Sequence, residues 1–341
     1  MSMRVQSGSS KRGEIEFRRR LARQQVEGGE VLPGEYGPSE IELILAERME
    51  RTLERLSALK REGMALSPYL EIGAERCQRS LVMENDLACS GAALDISFDM
   101  LKCCEFYGER FSRPRKPRRI CADAYNLPFL SASVPFVFCY ETLHHFPDPA
   151  PVVREIHRVL SPGGVFLFDE EPYRQVLRLG VLKDRGHARR PGEEESLARR
   201  IVRHYLVRQI PNELDFGIIE NHDISIREWE RAMADFETRD LWLKSVLGGC
   251  VGTEAHRFSP KYISAFLNGG TIGGICRKAG IQEANAISID EVLACPDCAP
   301  AVETKLERAG EGMSCPKCGR QDRKSTRLNS SHMSISYAVF C

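Results

Sequence analysis

Long apolar runs are missing from this chain of 341 residues. No stretch approaches the ~18 consecutive apolar residues of a membrane-spanning helix, so a helical span is excluded. Net charge is missing too. Lys plus Arg and Asp plus Glu both number 48, so no overall field draws the chain to nucleic acid or to an anionic membrane. The opening MSMRVQSGSSKRGEIEFRRR has no apolar segment and so lacks the pattern of a secretory signal. A cytoplasmic, reducing setting is the expectation.

Cysteine, by contrast, is plentiful at 13 residues. In a reducing compartment most serve as small core fillers, as single residues such as Cys89, Cys139 and Cys250 suggest. Apolar residues make up 42% of the chain, enough for one large core and a small second unit.

The pattern divides the chain. Residues 1–38 are polar and Gly-rich and read as a mobile segment, with a basic helix over Phe17 to Gln25. An amphipathic helix follows over 39–64. Ser39 and Glu42 have capping-box spacing, and Ile41, Ile44, Leu45, Met49, Leu53, Leu56 and Leu59 form one stripe. Over 65–175 strands alternate with helices: SPYLEIGAE, ACSGAALDIS, RRICADAYNLPF, VPFVFCYETLHHF and GVFLFDEEP as strands, FDMLKCCEFYGERF and PAPVVREIHRVLSPGG as helices. Such alternation predicts an α/β fold with a doubly wound, mostly parallel sheet. Residues 176–285 read as a pocket and lid region with final strands, including an exposed loop, KDRGHARRPGEEES. Its Trp229, Trp242, Tyr262 and Phe266 suit either a core or a substrate platform.

In open parallel sheets ligands sit beyond the carboxyl ends of the strands. The residues there are Gly73, Asp95, Asp123 with Ala124, and Glu141. Gly73 permits a tight turn beneath a ligand. A carboxylate at Asp95 can accept from both hydroxyls of a ribose, and one at Asp123 from an adenine amine. A lone acid at such a place is usually a solvated loop residue; an ordered set is a stronger sign. The phosphate-cradling GxGxxG is absent, which disfavours a dinucleotide-binding dehydrogenase.

LEIGAE, ALDIS, ADAYNLPF, FVFCYETLHHFPDP and REIHRVLSPGGVFLFDEEP together resemble class I S-adenosylmethionine-dependent methyltransferases of the broad group acting on small molecules and lipids. The resemblance implies a Rossmann-like fold and S-adenosylmethionine as cofactor. It places Glu71 and Gly73 in the first cofactor motif, Asp95 at the ribose, and Asp123 and Ala124 at the adenine; Glu141, at the end of its strand, is a further candidate for the cofactor pocket. The family's motif is acid-x-Gly-x-Gly-x-Gly; here Glu75 and Cys77 stand at the second and third glycines. Glu75 could crowd the methionine end or receive its ammonium. His144 and His145 lie where an acceptor approaches, as catalytic candidates or as residues that only shape the loop; Glu141 and Glu170 are further candidates. The Asn/Asp-Pro-Pro-Tyr signature of enzymes that methylate amino groups on nucleobases or glutamine is absent, which argues against those substrates.

Cys295-Pro-Asp-Cys298 and Cys315-Pro-Lys-Cys318 have the spacing of a four-thiolate structural zinc ribbon, with a redox pair as the rival. EVLACPDC and SCPKCGRQ resemble the small zinc-ribbon proteins that activate methyltransferases, in a form truncated at 286–321. The tail DRKSTRLNSSHMSISYAVFC, residues 322–341, resembles a translated sequencing adapter; a Ser-rich disordered tail is the alternative.

The expectation is methyl transfer to a small-molecule, lipid or saccharide-type acceptor. The alternative is a catalytically degenerate scaffold that binds a protein partner through the ribbon, and nucleic acid is disfavoured as a partner.

Overall fold

Strand-length apolar runs in the middle segment line up as neighbours in one sheet, and the helices between them cover its two faces. The computed structural model describes residues 3–26, 28, 35–185, 196–218, 220–246, 248–254, 258–282, 287–299, 301–310, 312–322 and 339–340. In chain order the elements are α1 (Met3–Val26), α2 (Pro38–Arg61), β1 (Tyr69–Ile72), α3 (Gln78–Asn85), β2 (Gly91–Asp95), α4 (Phe98–Arg110), β3 (Arg118–Cys121), β4 (Val134–Tyr140), α5 (Ala150–Val159), β5 (Leu160–Tyr173), β6 (Leu182–Arg185), α6 (Leu197–Leu206) and β7 (Val207–Ile210). There follow α7 (Ile226–Ala232), β8 (Thr238–Ser245), β9 (Cys250–Gly252), α8 (Pro260–Asn268), β10 (Gly270–Arg277), β11 (Glu307–Ala309), β12 (Gly312–Ser314), β13 (Gln321–Asp322) and β14 (Val339–Phe340).

The main sheet has the order β14-β3-β2-β1-β4-β5-β10-β8-β9. β3, β2, β1, β4 and β5 run parallel, while β10 is antiparallel to both β5 and β8. The expected α/β, doubly wound, mostly parallel sheet is therefore present. Strand order reverses at β1, between β2 and β4, which places the ligand groove at their carboxyl ends. The strands are buried on both faces, with Leu70, Ala92, Val137 and Phe166 on one side and Tyr69, Phe136, Phe138 and Leu167 on the other.

Several local expectations need correction. Residues 1–38 do not read as mobile throughout: α1 is 24 residues long, and its Phe17 and Leu21 are buried against Ile218 and Phe216. Gly13 permits the approach, since a Cβ there would lie 1.9 Å from the Phe216 carbonyl oxygen. α2 is capped two residues earlier than expected, by Glu40 accepting from the Gly37 N–H at 2.9 Å. α3 carries no apolar stripe to announce it, because Gln78, Arg79 and Ser80 are buried beside its Leu81 and Val82. The Ser-Pro-Gly-Gly run after α5 belongs to β5 rather than closing the helix. Trp229, Trp242 and Tyr262 are core residues, whereas Phe266 is exposed.

The central ten residues of the expected 183–196 loop lie outside the described residues, as do 323–338 and 341 of the tail. The backbone of Val339–Phe340 pairs antiparallel with the edge of β3.

Candidate functional site: strand-end acids, a histidine turn and four thiolates

The turn from β1 into α3 keeps a glycine-like backbone without all of its glycines. Gly73 has φ +70°, Glu75 has φ +47° and Cys77 has φ +60°. Left-handed backbone is uncommon for residues with a Cβ, so the fold imposes it here. At Gly73 there is no room for a side chain, because a Cβ would sit 2.2 Å from Thr142 Oγ1.

Glu71 faces away from solvent. Its carboxylate accepts from the Ser80 N–H at 3.0 Å and the Ser80 hydroxyl at 2.5 Å, tying β1 to α3. Burial pushes its carboxyl up to about 7, against the pull of Arg79 and Ser80. Asp95 ends β2 and uses one oxygen each on the N–H groups of Ser97 (2.7 Å) and Glu75 (2.9 Å). Burial raises it to about 6. Asp123 Oδ1 accepts from the Tyr125 N–H at 3.0 Å, and Oδ2 pairs with Lys11 of α1. Ala124 beside it is buried.

Basic residues of α1 and α2 meet these acids. The Glu75 carboxylate lies among Arg18 (2.9 Å), Arg76 (3.2 Å) and Arg48 (3.6 Å). Burial would raise it, but Arg76, Arg18 and Arg48 outweigh that and hold it at about 2. An ammonium group approaching Glu75 would meet a carboxylate already neutralised. Glu141 pairs with Arg48, and Glu170 with Arg51 (3.2 Å) and Arg79 (3.6 Å). Gln78 has both side-chain amide atoms buried without a partner among the described residues.

After β4 comes a single 3₁₀ turn, Leu143–His145. It hangs on Glu171, which was not picked out from the sequence. That carboxylate accepts from the N–H groups of Thr142 (2.8 Å), Leu143 (2.9 Å) and His144 (3.1 Å), and bonds His144 Nδ1 at 2.9 Å. Burial pushes Glu171 up, but His144 and the backbone donors outweigh it and hold it below the carboxylate range. Burial lowers His144, and Glu171 more than reverses the effect. Burial, then His144, pushes His145 down to about 4. Glu220 and His222, also absent from the sequence reading, stand opposite: His145 Nδ1 is 3.6 Å from Glu220 Oε1, and His222 Nε2 is 2.7 Å from Glu220 Oε2.

The four paired cysteines converge. Cys295 and Cys318 sulfurs are 3.7 Å apart, and those of Cys298 and Cys315 3.8 Å. Four thiolates around a zinc ion at ~2.3 Å would be separated by roughly 3.8 Å, so this donor set could hold zinc. β11 and β12, between the knuckles, and β13, after the second, form a small antiparallel sheet. Leu293, Leu306, Met313 and Cys315 belong to the same apolar cluster as Leu127 and Phe129 of the β3–β4 loop. Arg158 of α5 clamps the joint, reaching Glu303 at 3.0 Å and the carbonyls of Leu127 and Phe129 at 2.9 Å.

Residues 70–168 match the family model described as a methyltransferase domain. These residues are similar to a methyltransferase domain, and they carry the parallel strands of the sheet. The domain's relatives include an uncharacterized chloroplastic methyltransferase of Arabidopsis thaliana, 42% identical over 90 residues, 26% of this chain and 25% of that protein. A sarcosine/dimethylglycine N-methyltransferase of Halorhodospira halochloris is 26% identical over 242 residues, 67% of this chain and 79% of that one. Among solved structures, a candidate sarcosine dimethylglycine methyltransferase of Galdieria sulphuraria aligns over 77% of this chain and 98% of its own, at 15% identity and TM-score 0.43. The chain spans about a quarter of the length of the first curated relatives it matches. No described helix is long and apolar enough to cross a membrane.

Proposed function

We propose that the chain is an S-adenosylmethionine-dependent methyltransferase acting on a small-molecule, lipid or saccharide-type acceptor, with a structural zinc ribbon docked on its own methyltransferase domain. The observation that carries this reading is the turn after β1. It holds left-handed backbone at Gly73, Glu75 and Cys77, and Asp95 fastens it through the Glu75 N–H.

The residues fit the cofactor. Each Asp95 oxygen accepts one backbone hydrogen bond and so retains a lone pair for a ribose hydroxyl. Asp123 offers a carboxylate for an adenine amine once Lys11 yields it. Glu71 holds the turn in place from below. In this reading Glu75 contributes its backbone, and its side chain anchors α1 and α2. When bound, S-adenosylmethionine supplies a methyl group on an electrophilic sulfonium. The chain's part is then chiefly to hold the acceptor in line, an effect that can supply roughly 7–11 kcal/mol in favourable systems. His144 and His145 face that approach.

Calorimetry of the full chain with S-adenosylmethionine tests the reading. Binding that weakens at least tenfold in Asp95→Ala is expected. No binding by well-folded wild type, with Asp95→Ala behaving identically, would sink it. The scaffold reading draws on the pairing of Lys11 and Arg18 with Asp123 and Glu75. It would be favoured if only a Glu75→Gly, Cys77→Gly variant bound cofactor.

Four thiolates leave no open coordination position, so the zinc we assign to Cys295, Cys298, Cys315 and Cys318 is structural. Because the apolar face of the ribbon is buried against its own domain, we place its role there, ahead of a separate protein partner.

A further inference from the structure

We propose that His144, His145 and Glu220 form a second, transition-metal site, and that it takes a hydroxyl group of the methyl acceptor as a further ligand. One ligand atom from each of the three residues lies within 4.8 Å of the others. His144 Nδ1 is engaged by Glu171 at 2.9 Å, which leaves Nε2 as its coordinating nitrogen. His145 Nδ1 is buried and makes no hydrogen bond among the described residues. Its nearest acidic neighbours are Glu220 Oε1 at 3.6 Å and Glu14 Oε2 at 4.0 Å. Two donors ~2.1 Å from one tetrahedral ion stand roughly 3.4 Å apart, so the 3.6 Å gap suits a shared cation better than a direct hydrogen bond.

The outer partners make the case stronger. Metal-binding imidazoles usually donate their second nitrogen to a carboxylate or carbonyl, which fixes the ring. Glu171 does this for His144. Glu220 is held in turn, its Oε2 bonded to His222 at 2.7 Å so that Oε1 faces His145. Glu14 is held through its other oxygen by Arg18 at 2.7 Å. Asn221 fastens the Glu220 segment to the histidine turn, donating from its N–H to the His144 carbonyl at 2.7 Å and from its side chain to that of Pro147 at 2.9 Å. Such a network keeps the three ligands converged.

Two imidazoles and one carboxylate select zinc or a neighbouring transition metal over magnesium or calcium, which prefer all-oxygen sets. Three protein ligands leave a position open. A hydroxyl bound there loses its proton to solvent more readily, and the oxygen keeps the electron pair. The site adjoins the cofactor turn, because Thr142 at the start of the histidine turn packs on Gly73. The hydroxyl assignment rests on the methyl-transfer reading; the metal site does not.

The test loads the metal-free full chain with Co²⁺ and counts equivalents while recording the visible spectrum. Wild type is expected to take two, one showing thiolate-to-cobalt charge transfer and one without it. His145→Ala and Glu220→Gln should each lose only the second, with the thiolate band and circular dichroism unchanged. Catechol, as a hydroxyl probe, should shift the bands of the second ion. A single thiolate-bound equivalent in wild type, or two retained in both variants, overturns the site. A second equivalent blind to catechol overturns the hydroxyl assignment. A chain that takes two ions but binds no S-adenosylmethionine overturns the methyl-transfer reading and leaves the metal site standing.

Discussion

Gly73 is the residue at which the β1 turn depends most on having no side chain. Gly73→Ala combines an unfavourable φ with a clash against Thr142, so it should cost about 3 kcal/mol by denaturant titration and lower cofactor affinity. Glu171→Ala leaves the N–H groups of Thr142, Leu143 and His144 without their acceptor. A loss of at least about 3 kcal/mol is expected on the same assay. Glu71 gives a pH signature. Its folded value of about 7 is above that of an unfolded glutamate, so its contribution is full below about 4 and is lost as pH rises through 7. Asp95, at about 6, acts in the same direction. Urea unfolding at pH 5, 6.5 and 8 should show stability falling with pH, and Glu71→Gln should flatten most of the fall above 6. At this scale the strand-end acids were legible because their order along the chain mirrors the order of the strands. Glu171 was not. Glu170 has φ +64°, and the pairing of β5 with β10 shifts register beside it. That irregularity turns Glu171 inward, and nothing in the string DEEP announces it.

Among the elements, α1 is the one whose role depends on pieces far away in sequence. Its apolar residues are few, and much of its attachment is ionic: Lys11 to Asp123, Arg18 to Glu75, Arg19 to Asp99. If the strand-end acids bind a nucleoside as proposed, a helix held this way over them competes with it. Lys11→Ala should therefore strengthen S-adenosylmethionine binding several-fold at low salt and weaken its salt dependence, as read by calorimetry. Weaker binding instead would mean that the helix helps to hold the cofactor. The helices α2 and α4 were readable from their apolar spacing because each buries one face. α3 was not, because it buries polar residues as well.

For the molecule as a whole, the ribbon and the methyltransferase domain share one apolar cluster. Thiolate sites of this kind can contribute on the order of 10 kcal/mol to folding. If the four cysteines hold zinc as proposed, removing it should lower the melting temperature of the domain as well as that of the ribbon, and Arg158→Ala should reduce the coupling between them. Calorimetric unfolding with and without chelator would show it. Independent transitions, with that of the domain unmoved, would mean that the ribbon is only tethered.

Legible in the chain alone were a doubly wound, mostly parallel sheet, the acids at its strand ends and the two cysteine pairs. Each of these depends on local spacing: short apolar runs, helical stripes, turns at strand ends, and knuckles of fixed length. Long-range packing sets α1 across those acids, Glu220 and His222 opposite the histidine turn, and the ribbon back on the β3–β4 loop. Those contacts join residues more than 70 positions apart. Charge pairing and burial hold them, and neither leaves a period in the sequence.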